Sequence, residues 1–254
     1  MKGLLRWGLL VVVAALSLEF FFIARIALSA TMDPQSTTFQ RSEAWRITTE
    51  KGRLRWSQQW RPNSQISDHL KRAVIASEDD SFAIHDGFDW EALEKAWQRN
   101  AKAEEQAARR AARPQPAAKA AASPPKAPVK PPKIVGGSTI TQQLAKNILL
   151  SGERTLLRKG QEFVLTFALE RMLSKERILE VYLNSVEWGE GVFGAEAAAR
   201  HYYRKSAAQL TPYEAARLAV MLPRPKYFEK LPNSGYLASR ASTIAARMQG
   251  VELP

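Results

Sequence analysis

Four polar motifs interrupt a chain that is otherwise rich in Ala and Leu, and together they carry two acids, several cations and a set of hydroxyl and amide side chains. The first runs from Glu78 to Asp89 and holds Asp79, Phe82 and His85. The second, Gly136 to Asn147, holds Ser138, Thr139, Gln142, Gln143 and Lys146. Arg158, Lys159 and Glu162 form the third, and Lys175, Glu180, Tyr182 and Asn184 the fourth. An acid that can take a proton, set among cations that can neutralise phosphate, suits acid/base chemistry on a substrate with an anionic leaving group.

Each motif also has a plainer explanation. Glu78 follows a helical pattern and precedes Phe82 and His85. A carboxyl beside apolar surface is partly desolvated, its pKa rises toward that of a useful base, and Asp79 adds a like charge that pushes the same way. Two acids solvating a helix end would look the same. Hydroxyls and free backbone N–H groups at the helix start near Thr139 suit phosphate or sugar. Gln143 and Asn147, four apart, share a face with Thr139 one turn earlier; a Ser/Thr cap on a solvated helix is the alternative. Arg158 and Glu162 are also four apart. In a cleft that pair would keep Glu162 ionised and leave Arg158 and Lys159 for phosphate, whereas on a surface it is an ordinary ion pair. Metal-ligand spacing is missing: the histidines stand only at 69, 85 and 201, so a metal set is unknown from the residues. Ser123-Pro124-Pro125-Lys126 fits an S-x-x-K acyl-enzyme pattern but has no K-T-G partner and is set aside.

The elements that position these motifs are mainly helical. His69–Ala76 reads as a helix leading into the first motif, and a second starts at Trp90. Gly136-Gly137 turns into a helix over about 139–150, Leu156–Leu173 is a long striped helix, and Ser174 caps the next. Thr211-Pro212-Tyr213-Glu214 is a capping box opening Ala215–Leu222, and a last helix covers Tyr236–Met248. Residues 31–65 are polar and mixed. Within them 45–48 and 53–56 suit short strands or an amphipathic juxtamembrane stretch.

Residues 1–30 read as a short cytoplasmic tip and a transmembrane anchor. The run from Trp7 to Ile23 is apolar except for Ser17 and Glu19, long enough for the roughly 20 residues a bilayer needs. Lys2 and Arg6 hold its start in the cytoplasm and send the rest across. A cleaved signal peptide is the competing reading, with a mediocre site at Ala27–Ala30. Glu19 is costly in a span unless it is paired or protonated. The globular domain is expected over 66–250, interrupted at about 101–133 by a basic Ala/Pro/Lys-rich disordered insertion. Residues 99–133 hold nine Lys or Arg against two Glu, and the prolines of their second half rule out helix there. The net charge of +12 over 254 residues points to an anionic partner. With no zinc-finger or RNA-binding pattern, lipid and phosphate are favoured and no nucleic acid is expected. The absence of cysteine excludes disulfides and thiolate metal sites.

Read in order, the motifs are E-D-x-x-F-x-x-H-x-G, G-G-S-T-x-T-Q-Q-x-x-K-N, R-K-x-x-E and K-x-x-I-L-E-x-Y-L-N. They resemble the monofunctional biosynthetic peptidoglycan glycosyltransferases and the same domain of bifunctional penicillin-binding proteins, over about residues 66–232. Gly189, Gly191, Gly194 and Ala197–Lys205 resemble that family's fifth block. The resemblance implies a lysozyme-like, mainly α fold behind an N-terminal transmembrane helix. It implies polymerisation of lipid II: the growing undecaprenyl-pyrophosphate-linked glycan is transferred with inversion to the GlcNAc 4-hydroxyl of lipid II. By position, Glu78 is then the base and Glu162 a second catalytic carboxylate on the pyrophosphate side, with a divalent cation, Mg or Mn, as a cofactor to test. Lys146, Arg158, Lys159 and Lys175 would stabilise the leaving group. Ser138, Thr139, Gln142, Gln143 and Asn147 would bind sugar or phosphate, and Asp79, Phe82, His85, Glu180, Tyr182 and Asn184 would shape the site. The implied partners are lipid II, the growing glycan, the membrane and other wall-synthesis proteins, with the catalytic domain on the periplasmic side of a bacterial inner membrane. No transpeptidase domain is expected.

Two other classes share these features. A glycosidase on finished peptidoglycan also uses two carboxylates, but a sugar leaving group needs a proton donor rather than a cation cluster. An inactive membrane-anchored scaffold would not need Glu78. Product analysis separates the first, and turnover after Glu78→Gln the second.

Overall fold

The structure is a computed structural model that describes residues 2–112, 137–150 and 155–254. The chain forms two units, one of residues 1–87 with 139–254 and a smaller one of 88–138.

In the larger unit, α1 (Lys2–Ser29) is long and apolar enough to cross a membrane and is exposed over most of its length. Its C-terminal end is integrated into the protein. Ile26 is buried in the core, and Arg177 donates to the carbonyls of Ser29 (2.8 Å) and Met32 (3.0 Å). Cationic donors on the orphan carbonyls of a helix end complement its dipole. Glu19 also has a partner in this chain: its Oε1 accepts from Gln161 Nε2 at 3.1 Å.

The segment 31–65 is built differently from a juxtamembrane strand pair. Residues 45–48 lie inside α2 (Thr38–Lys51). Thr37 and Gln40 close a capping box at its start, and Gly52 ends it in the left-handed conformation, φ +67°. Gln40 Nε2 donates to the carbonyl of Ser185, and Thr38 Oγ1 to that of Ile148. Of the two expected strand stretches neither forms one, and β1 (Ser57–Gln58) is the strand of this segment.

The core is assembled around α3 (Asp68–Glu78), α5 (Ile140–Leu149), α6 (Leu156–Met172) and α7 (Lys175–Ser185). Leu70, Val74 and Ile75 bury one face of α3 against α9 (Pro212–Met221) and α11 (Gly235–Arg247). Leu144 on α5 and Leu165 and Leu169 on α6 are fully buried where those helices pack. Each such side chain contributes about 1.5–3 kcal/mol of hydrophobic stabilisation. Thr155, Ser174 and Thr211 cap α6, α7 and α9 through their hydroxyls.

A small sheet pins the fifth motif. The strands β2 (Glu187–Gly189) and β3 (Val192–Phe193) are antiparallel, and β1 joins β3 in parallel, Ser57 opposite Val192. Then follow α8 (Ala195–Tyr203) and the short α10 (Pro225–Glu229). Gly191 turns between β2 and β3 at φ +74°, where an added Cβ would sit 2.2 Å from the Arg55 carbonyl oxygen. Gly191→Ala is therefore expected to cost about 2 kcal/mol or more, from the left-handed backbone and the displacement of β1. A melting temperature lowered by roughly 4–8 °C is the expected reading; an unchanged one would mean that the β1 connection moves freely.

The smaller unit is α4 (Trp90–Ala112), capped by Asp89 Oδ1 on the Ala92 N–H at 2.7 Å. Glu91–Lys95 and Glu105–Arg109 pair four residues apart on its surface. Gly137 returns against this helix, where a Cβ would be 3.2 Å from the Leu93 Cα. The start of the expected insertion, 101–112, is thus the end of a helix, and 113–133 lie outside the described residues, as do Gly136 and the set-aside Ser123–Lys126 pattern.

Candidate active site

The first motif is held to the start of α5 by hydrogen bonds that span the two. Asp79 is buried at the end of α3. Its Oδ1 accepts from His85 Nε2 at 2.8 Å, and its Oδ2 accepts from the Ile140 N–H at 2.8 Å, the first turn of α5. The N–H of Gly87 donates to His85 Nδ1 at 3.1 Å, which places the imidazole proton on Nε2. Thr139 Oγ1 donates to the Gly87 carbonyl (2.7 Å) and accepts from the Gln142 N–H, while Gln142 Oε1 accepts from the Thr139 N–H (3.0 Å). Gly87 sits at φ +84°, and a Cβ there would meet Glu170 and Thr166 carbons at 2.8 Å. Phe82 is buried beneath the Lys175 ammonium, 4.6 Å from the ring centre, and Lys175 pairs with Glu170 at 2.9 Å.

This frame sets Gln143 beside Glu78. Gln143 Nε2 donates to Glu78 Oε2 at 3.0 Å, and the buried Tyr182 donates its hydroxyl to Gln143 Oε1, also at 3.0 Å. The tyrosine therefore fixes which end of the amide faces the acid. Burial pushes the Glu78 carboxyl above the ordinary glutamate range, against the lowering effect of the Gln143 hydrogen bond. The Asp79 charge adds to the rise, and Lys146 and the Ser77 hydroxyl oppose it. Tyr182→Phe frees the Gln143 carbonyl from its donor and weakens the bond that favours the carboxylate, so the Glu78 pKa rises further. The acid limb of the activity–pH profile should move to higher pH, with activity recovered on the alkaline plateau. A uniform loss at every pH would count against this role.

A cleft of about 520 Å³ opens beside Gln143 and Tyr182. Gln143, Lys146, Asn147, Arg158 and Tyr182 line it, together with Thr38, Phe39, Ser42 and Glu43 of α2 and with Val186 and Glu187. Arg158 is held by Glu162, whose Oε2 accepts from its Nη1 at 3.2 Å, and Lys159 binds the other oxygen. Glu162 itself is almost fully buried, 3 % exposed.

Of the residues singled out in the sequence, Glu78, Gln143, Lys146, Asn147, Arg158 and Tyr182 come together in and behind this cleft, and Glu162 and Lys159 join through Arg158. Thr139 and Gln142, expected to bind sugar or phosphate, are buried and complete a capping box. Asp79 and His85 support the frame. Glu180 and Asn184 bind the chain at 61–63 instead of the cleft: Glu180 Oε2 accepts from the Asn63 N–H, and the Asn184 amide pairs with both backbone groups of Arg61. Ser138 ends the smaller unit. Sequence reasoning missed Glu43, Glu187 and Lys226, which meet in space from three separate elements. The single available signal is Glu187, a lone acid in the run Tyr182–Gly189, whose neighbours are all buried.

The sequence matches the family described as transglycosylase over residues 47–109 and 121–249. The biosynthetic peptidoglycan transglycosylase of Paraburkholderia xenovorans strain LB400 is 45% identical over 256 residues, which covers 99% of this chain and 95% of that protein. Those of Paraburkholderia phytofirmans strain PsJN (46%, 99% and 95%) and Burkholderia thailandensis strain E264 (45%, 100% and 90%) are as similar. The chain belongs to the transglycosylase family. The matched range contains all four motifs and Glu187, whereas Thr38, Phe39, Ser42 and Glu43 of α2, which also line the transglycosylase cleft, precede it. Among the described residues of the transglycosylase, no group of three or more His, Asp or Glu side chains is placed to hold a metal ion, and Glu162 is already engaged by two cations. These residues do not by themselves make a divalent-cation site.

Proposed function

We propose that this transglycosylase is a monofunctional peptidoglycan glycosyltransferase that polymerises lipid II into glycan strands. The observation that carries the reading is Glu78, a carboxyl with a raised pKa, bound to Gln143, which lines a cleft together with Lys146 and Arg158. Ionised Glu78 removes the proton from the 4-hydroxyl of the acceptor GlcNAc as that oxygen attacks the anomeric carbon of the donor MurNAc. The new C1–O4 bond forms on the face opposite the departing pyrophosphate, so the configuration inverts. The leaving group keeps the bonding electrons and needs no proton. Lys146, Arg158 and Lys159 neutralise its charge, which is worth far more in a cleft than in water. Glu162 holds Arg158 and Lys159 in place for that task, and no step runs through a metal ion.

The polar anchor end, Lys2 and Arg6, supports a cytoplasmic start for α1 and a periplasmic catalytic unit at a bacterial inner membrane. There the undecaprenyl tails of both substrates share the bilayer with α1. Other wall-synthesis proteins are the expected neighbours. The test is incubation of the detergent-solubilised full chain with labelled lipid II. A ladder of lengthening strands supports the transferase; fragments released from sacculi, with no polymer, would replace it by the glycosidase.

A further inference from the structure

We propose that the part of the cleft lined by Glu43 and Glu187, both bound to Lys226, is a saccharide subsite, which takes hydroxyl and acetamido groups of the substrate while Lys146 and Arg158 take its pyrophosphate. The inference rests on the glycosyltransferase reading above and assigns a part of the substrate to residues outside the motifs.

Three elements build this subsite: Glu43 from α2, Glu187 from β2 and Lys226 from α10. The Lys226 ammonium lies between the two acids, bonded to Glu43 Oε2 and 3.4 Å from Glu187 Oε2. Arg46 binds the same Glu43 oxygen at 2.9 Å and anchors to Glu190 at 3.3 Å. Both cations therefore hold Oε2, and Glu43 Oε1 has no protein hydrogen bond among the described residues although Glu43 lines the cleft. Glu187 is 7 % exposed, and burial pushes its carboxyl up to about 7, with Lys226 opposing and Glu43 adding to the rise. Near neutrality it presents an O–H as well as an acceptor oxygen.

The chemistry selects the occupant. Glu43, whose pKa is lowered, carries a full negative charge and Glu187 part of one, so a pyrophosphate is better held by Lys146 and Arg158, which line the same cleft. An ammonium group is not called for, because Lys226 already occupies the position between the acids. What remains is a neutral group with several hydrogen-bond donors and acceptors. Sugar hydroxyls fit, with the Ser42 hydroxyl and the Asn147 amide as further partners and the half-buried Phe39 ring as apolar surface for a pyranose face. The cleft volume of about 520 Å³ falls within the range of roughly 300–1,000 Å³ typical of small-ligand sites.

The experiment compares two ligands that share a lipid and a pyrophosphate but differ in the sugar: lipid II and undecaprenyl pyrophosphate. Binding of each to the full-length protein in detergent is measured in the Glu78→Gln background, so that lipid II persists. Glu43→Gln and Glu187→Gln, on separate elements, should each weaken lipid II by about tenfold, as expected for loss of one hydrogen bond to a charged acceptor, and leave undecaprenyl pyrophosphate unchanged. Arg158→Ala should weaken both. Unchanged lipid II binding in both Gln variants, or an equal loss of the two ligands, overturns the subsite. Failure of the parent protein to bind lipid II, or of the wild type to polymerise it, would instead remove the glycosyltransferase reading itself. Melting temperatures recorded on the same samples identify any variant that is merely unfolded.

Discussion

Glu78→Gln is expected to lower polymerisation of lipid II by about a thousandfold, the middle of the range for loss of a general base, with substrate binding largely kept. Glutamine preserves the size of the side chain and its contact with Gln143, but it cannot accept the 4-hydroxyl proton. The stability of the variant should move the other way. The folded-state pKa of Glu78 is raised, so between the ordinary glutamate value and the raised one the folded protein binds more protons than the unfolded chain. Stability therefore falls as pH rises through that window, and the cost persists above it. Glutamine removes the cost, so the variant should melt at or above the wild-type temperature at pH 8. Loss of turnover with unimpaired stability is what a base held in a desolvated site requires. A fall in rate of less than tenfold would remove Glu78 from that role.

The residues of the cleft were legible wherever one helix carries them. Gln143, Lys146 and Asn147 share the face of α5 that a spacing of three and four predicts, and Arg158 reaches Glu162 one turn along α6. Local ambiguity decided two other positions. Thr139 and Gln142 fit the T-x-x-Q pattern of a capping box as well as they fit phosphate ligands, and the helix spends them on its own orphan N–H groups. The same pattern at Thr37 and Gln40, with Gly52 as the stop, could have marked α2 as a helix despite its polar composition. Contacts between distant segments carried no such signal. Glu19 finds Gln161 after 142 residues, and Glu43 finds Lys226 after 183. A carboxylate in an apolar span, or in a run of buried residues, announces that a partner is needed without saying where it is. The N-terminal apolar helix is a case in point: composition marks it as long and apolar enough to cross a membrane, while its attachment through Ile26 and Arg177 depends on the fold.

Glu162→Gln should reduce polymerisation by about a hundredfold, and the manner of the loss decides what Glu162 does. The carboxylate is buried and holds both Arg158 and Lys159. Removing one partner of a buried ion pair leaves the other charge uncompensated. Because Lys159 reaches solvent, the stability cost should be nearer 1–2 kcal/mol than the roughly 3–5 kcal/mol of a fully enclosed pair. The larger effect falls on the leaving group: Arg158 without its anchor no longer meets the developing pyrophosphate charge in one fixed geometry, so kcat drops more than KM rises. If Glu162 works only by placing the cations, then Glu162→Gln combined with Arg158→Ala should cost little more than the worse of the two alone, since residues acting as a unit are not additive. Additive losses, measured as kcat/KM for lipid II, would mean that Glu162 meets the substrate itself, and the leaving-group side of the cleft would then need a second acid in contact with the reacting atoms.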